Sequence, residues 1–88
     1  MKLKGNFVIK KIAEETVAIR MYKDIADLRD AISLKGSAET IFSALLEGLN
    51  KEDIINQLVE SYHISKDEAA NDTEAFLNIL YNNNLLEG

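Results

Sequence analysis

The hydrophobic pattern changes period near residue 36. Before it, apolar residues come in short β-branched runs, Phe7-Val8-Ile9-Lys10-Lys11-Ile12 and Thr16-Val17-Ala18-Ile19-Arg20-Met21, separated by Ala13-Glu14-Glu15. Two such runs around a short break predict a β-hairpin. Within the second run Val17, Ile19 and Met21 share one face at period two, with Ala18 and Arg20 opposite. Ala31-Ile32-Ser33-Leu34 is a third, shorter alternating run, with Ile32 and Leu34 on its apolar side. Residues 22–30 are polar and hold Ile25 and Leu28; they read either as a loop or as extensions of both flanking strands.

After Gly36 the period becomes helical. Ser37 fits an N-cap, and Ile41, Phe42, Leu45, Leu46 and Leu49 form one stripe ended by Gly48. Asn50 is placed to cap a second helix, with Asp53 at N3 and Leu49 and Ile54 at the positions of a hydrophobic staple. Its stripe is Ile54, Ile55, Leu58, Val59 and Tyr62. Ser65-Lys66-Asp67-Glu68 has the capping-box form and opens a third helix, whose stripe is Ala69, Thr73, Phe76, Leu77 and Leu80. Asn82-Asn83-Asn84 ends it, and Leu85 and Leu86 are placed to fold back onto the core. The order is β-β-β-α-α-α. Three amphipathic helices on one face of a small sheet make a two-layer solution. The predicted class is α+β and winged-helix-like: a three-stranded antiparallel sheet followed by three helices, one domain over residues 1–88.

Composition narrows the chemistry. At 88 residues, with 47% hydrophobic and 28% charged side chains, the chain suits one globular domain. There is no Cys and a single His, so disulfides, thiolate metal sites and a thiol nucleophile are excluded and no metal or cofactor is expected. No apolar run approaches the ~20 residues of a membrane span, and residues 1–20 do not read as a signal peptide, which fits a cytoplasmic protein. Charge is unevenly placed: residues 1–36 hold eight Lys/Arg against five acids, and residues 37–88 hold two against ten. Such a bipolar chain suits an anionic partner at one end and a cationic one at the other, or simply solubility.

Leu34-Lys35-Gly36-Ser37-Ala38-Glu39-Thr40-Ile41-Phe42 resembles the junction of the third strand and first helix in PqqD-like proteins. Leu3-Lys4-Gly5-Asn6-Phe7-Val8, Leu45-Leu46-Glu47-Gly48 and Asp72-Thr73-Glu74-Ala75-Phe76-Leu77 are similar to other stretches of that family. Lys35-Gly36 departs from its usual Asn-Glu, and Arg29-Asp30 from the small polar pair often found before the third strand.

The resemblance implies a peptide-recognition element from the biosynthesis of ribosomally made, post-translationally modified peptides. Such a protein is a non-catalytic peptide chaperone. It binds the leader segment of a precursor peptide and presents it to a modifying enzyme, such as a radical S-adenosylmethionine enzyme or a leader peptidase. The leader adds as a strand beside the third strand, in a groove walled by the third helix. The implied peptide-binding residues are Ala31, Ile32, Ser33 and Leu34 on the strand and Ala69, Asp72, Thr73 and Phe76 on the helix.

The residues permit this. In β-augmentation backbone bonds give generic affinity and side-chain pockets give selection. Four or five backbone bonds at ~0.5–1.5 kcal/mol each fall short of the ~8 kcal/mol of micromolar binding, so apolar pockets must contribute. Ala69, Thr73 and Phe76 equally fit ordinary core, and Asp72 equally fits a solvated helix face. The backbone parity of the third strand is open: if Ile32 and Leu34 bond inward, the Ala31 and Ser33 amides face the edge.

Two other classes compete. A winged-helix interaction module is one, and a DNA-binding regulator is the other. The third helix carries Lys66 against Asp67, Glu68, Asp72 and Glu74, which opposes entry into a major groove. Lys10, Lys11 and Arg20, interleaved with Phe7, read as a solvated hairpin face. Catalysis has little to build on. His63 sits at a helix end, where it interacts with the helix dipole, and Glu14-Glu15 lies in a solvated turn. The four glycines form no phosphate loop.

Overall fold

The computed structural model describes residues 1–23 and 25–88, with the backbone alone for 27–30. The elements are β1 (Lys2–Leu3), β2 (Asn6–Ile12), β3 (Glu15–Tyr22), β4 (Ile25–Ser33), α1 (Ser37–Leu46), α2 (Lys51–Tyr62), α3 (Lys66–Asn82) and β5 (Leu86–Glu87). The class is α+β, with antiparallel sheets and three helices. The expected three strands are β2, β3 and β4, forming a sheet in that order, and β1 and β5 form a second, two-stranded sheet absent from the sequence expectation. There Lys2 pairs with Glu87 and Leu3 with Leu86, while the Lys4 amide donates to the Leu85 carbonyl at 2.8 Å. Leu85 and Leu86 are buried, as their apolar character requires.

The hairpin closes tighter than the three-residue break suggests. Ile12 pairs with Glu15, leaving Ala13 and Glu14 as the turn, with Ala13 at φ 58°. Tyr22 and residues 25–30 extend the two strands: Tyr22 pairs with Ile25 and Met21 with Ala26. The part of that expectation falling on Asp24 and on the side chains of 27–30 lies outside the described residues.

The helix-covered face of the sheet is the one that carries Ala18 at its centre. Ile9 pairs with Ala18, which pairs with Ile32, and these share the core with Phe7, Leu34 and the helices. Val17, Ile19 and Met21 do share a face, opposite that cluster, and of the three Ile19 is buried. Ala18, fully buried, gives the helices room to approach, which a larger side chain would deny. Phe42 sits at the centre, its ring 5.4 Å from Phe7 and 6.5 Å from Phe76, both edge-on.

Capping explains the helix starts. The Asp53 amide donates to Asn50 Oδ1 at 2.8 Å, and the Glu68 amide to Ser65 Oγ at 3.1 Å, as the sequence predicts. At α1 the expectation shifts by one residue: Ser37 is already helical, and Gly36 takes the cap position at φ 59°, ψ −129°, with no side-chain bond. That backbone region is disfavoured for any residue with a Cβ, so Gly36 is required by the turn. Two stripe residues also prove peripheral. Leu46 is exposed, and Tyr62 is exposed with its hydroxyl 2.7 Å from Thr40 Oγ1, tying α2 to α1.

Candidate functional site

The strand β4 has a hydrogen-bonded neighbour on one side only among the described residues. Val17 pairs with Ser33 and Ala18 with Ile32, and the Leu34 amide extends the register by donating to the Thr16 carbonyl at 2.8 Å. Bonded and non-bonded pairs alternate along an antiparallel ladder. Leu34 and Ile32 therefore turn their polar backbone groups to β3, and Ser33 turns its N–H and C=O to the open edge. The alternation stops there. Between Ala18 and Arg20 the register shifts, so that residues 28–31 lie opposite the single residue Ile19. Such an irregularity interrupts the edge and limits pairing with stray strands. It also leaves Ala31 outside the regular ladder, so its amide is not assigned to the edge by this argument.

A groove of about 560 Å³ opens beside Ser33. One wall is the end of β4 and the start of α1, with Ile32, Ser33, Lys35, Gly36, Ser37 and Ala38. The other is α3, with Asp72, Ala75, Phe76 and Ile79. These four follow the spacing i, i+3, i+4, i+7, so they share one helix face. The Gly36 position has open space where a Cβ would stand, so bare backbone forms part of the wall. Ile79 leaves 49% of its surface exposed on the opposite wall.

The eight residues named from the sequence divide accordingly. Ile32, Ser33, Asp72 and Phe76 line the groove together. Ala69 and Thr73 do not: both are 0% exposed, on the side of α3 that packs into the core. Leu34 is likewise a core side chain, 4% exposed, with its amide spent on Thr16. Ala31 is half-buried and lies off the groove walls. The stripe expected on α3, Ala69, Thr73, Phe76, Leu77 and Leu80, is buried as the spacing predicts, and the groove face lies one step around the helix from it. Positions 69, 73, 77 and 80 form the core stripe, 72, 75 and 79 form the groove stripe, and Phe76 borders both, as its 7% exposure shows. Lys35, Gly36, Ser37, Ala38, Ala75 and Ile79 were missed. Ile79 alone carried a signal, being apolar yet off the core stripe.

Charge on the groove is sparse. Among the described residues Lys35 and Asp72 are its charged side chains, and neither makes an ion pair or side-chain hydrogen bond there. The remaining candidate chemistry has structural duties. His63 is the left-handed C-cap of α2, at φ 55°, its amide donating to the Val59 carbonyl. Glu15 accepts a 2.7 Å hydrogen bond from Ser33 Oγ across the sheet. Among the described residues, no three His, Asp or Glu side chains gather into a metal-holding group, and no helix is long and apolar enough to cross a membrane.

Comparison with known proteins adds two findings. The profile of the family described as coenzyme PQQ synthesis protein D (PqqD) matches residues 25–86, from β4 through α3 to β5, more than half of the chain. Among solved structures, the chain is similar to one described as TbiB1 in complex with the TbiA(beta) leader peptide. The two are 27% identical with a TM-score of 0.76, and the match covers 100% of this chain and 96% of the other. None of the curated proteins matches the chain.

Proposed function

The chain belongs to the PqqD family, and from that premise we propose that it binds the leader segment of a ribosomally made precursor peptide. In this reading residues 1–88 form one winged-helix-like, non-catalytic peptide-binding domain. The leader adds as a strand along the outer edge of β4, its side chains entering the groove before α3, and the protein presents it to a modifying enzyme. The observation that carries the reading is the groove itself: an apolar hollow placed directly against an open strand edge. The similarity over the whole chain to a protein solved with a leader peptide supports it.

Magnitudes decide which part of the site matters more. One edge residue, Ser33, offers an N–H and a C=O, together ~1–3 kcal/mol. Micromolar binding needs ~8 kcal/mol net of ordering costs. Burying ~200 Å² of apolar surface against Ile32, Ala75, Phe76 and Ile79 would contribute ~5 kcal/mol. Backbone pairing therefore sets register and direction, and the groove supplies most of the affinity. DNA reading is opposed by the acid excess of α3.

Selection of a displayed library of random 15-residue peptides on the purified protein tests the reading. It expects enriched peptides with micromolar Kd that are not retained by the Ile79→Lys variant, whose altered side chain is exposed and lies on the groove wall. Failure to enrich any peptide over that variant would overturn it.

A further inference from the structure

We infer that the groove selects a segment of opposed charge: an apolar residue seated on Phe76 and Ile79, a basic residue meeting Asp72, and an acidic residue meeting Lys35. This rests on the peptide-binding reading and adds the chemical class of peptide, including a specificity residue, Lys35, that the family resemblance does not supply.

A second depression is lined by Lys51 and Glu74, and there the two opposite charges pair with each other. Among the described residues the groove beside β4 also holds one base and one acid, but Lys35 and Asp72 stand on opposite walls and do not pair. Asp72 is half-buried, shares its helix face with Ala75, Phe76 and Ile79, and has no charged partner among the described residues. Lys35 is exposed at the opposite wall, directly after the edge strand. A guest lying between the walls reaches both. Its charges would gain partners that the protein does not provide, and a guest with the signs reversed would meet like charge at each wall. Such an arrangement contributes selectivity more than affinity.

Position adds direction. Lys35 lies two residues beyond Ser33, past the end of β4. A strand added antiparallel to β4 brings the residues N-terminal to its Ser33-paired position toward Lys35; a parallel strand brings those C-terminal to it. The acid's place relative to the apolar anchor therefore reports which way the peptide runs.

The same random library, selected in parallel on the unaltered protein and on Lys35→Glu, tests the inference. Lys35 is exposed, so circular dichroism should show an unchanged fold. Peptides from the unaltered protein should carry an apolar anchor flanked by one acid and one base. On Lys35→Glu the acid should vanish from the consensus, the base opposite Asp72 should persist, and peptides from the first selection should bind about fivefold more weakly. An anchored consensus with no acid, or the same consensus from both proteins, would overturn the inference while leaving peptide binding intact. Absence of any enrichment over Ile79→Lys would instead remove the reading on which it rests.

Discussion

The Leu34 amide donates to the Thr16 carbonyl at 2.8 Å, and this bond determines which way the end of β4 presents its backbone. Leu34 faces inward twice over, through its amide to β3 and through its side chain to the core, where it is 4% exposed. Ser33, one residue earlier, must face the other way on both counts. Strand register, core packing and the open edge are consequences of one alternation.

Proline separates the two residues. Ser33→Pro removes an amide that faces solvent, a loss tolerated on edge strands. It should keep the helical dichroism and cooperative melting yet weaken a selected peptide tenfold or more, about 1.4 kcal/mol. Leu34→Pro should instead damage the fold, since it removes an internal bond and a core side chain together. Calorimetry on Ser33→Pro at full affinity would show that the peptide does not pair through that amide.

Charge reversal at Asp72 is the second test. If the half-buried carboxylate meets a basic peptide residue, Asp72→Lys should cost ~1–3 kcal/mol of binding with the melting curve little changed. Unchanged affinity in titration calorimetry would return Asp72 to the role of a solvated helix residue.

Thr73 supplies a stability test away from binding. Its hydroxyl is fully buried and has no hydrogen-bond partner among the described residues. Valine keeps the β-branched shape and removes the desolvated oxygen, so Thr73→Val should stabilise the protein by about 1 kcal/mol. For a domain of this size that raises Tm by roughly 4–8 °C. Destabilisation in urea melts would mean that the hydroxyl finds a partner in solution.

Phe42 tests the core. Fully buried between Phe7 and Phe76, it joins the sheet to α1 and α3. Phe42→Ala should cost ~3–5 kcal/mol, against a total stability on the order of 4–13 kcal/mol. The urea midpoint should fall by about a quarter or more, or cooperative unfolding should be lost; a midpoint shift under a tenth would contradict the central packing role.

What could be read from the sequence was whatever local chemistry determines. Asn50 and Ser65 are legible as caps because a cap needs only its own side chain and the next turn. Gly36 was read past in favour of Ser37 because its cap geometry uses no side chain. The β1–β5 pair was invisible: two-residue strands at opposite ends of the chain show no period. The covered face of β3 was equally hidden, since Val17, Ile19 and Met21 are the more apolar set. Only the approach of the helices makes the small Ala18 the core residue. At the site, the resemblance implies the strand that holds Ile32 and Ser33, but the sequence leaves its parity open, and only the bond from Leu34 to Thr16 decides it. The α3 wall was not legible, because Ala69, Thr73 and Phe76 look like a stripe whether it faces the core or a guest. The groove stripe lies one residue to the side, and the sheet decides which is which.

The central claim is strand addition at Ser33, and amide hydrogen exchange measured by NMR on the free protein and on its complex with a selected peptide tests it most directly. In the free protein the Leu34 amide, bonded to Thr16, should exchange slowly and the Ser33 amide quickly. On saturation with peptide the Ser33 amide should slow by tenfold or more while Leu34 changes little. A complex in which the Ser33 amide still exchanges as fast as in the free protein would contradict the account: the peptide would then be held by the groove's side chains alone.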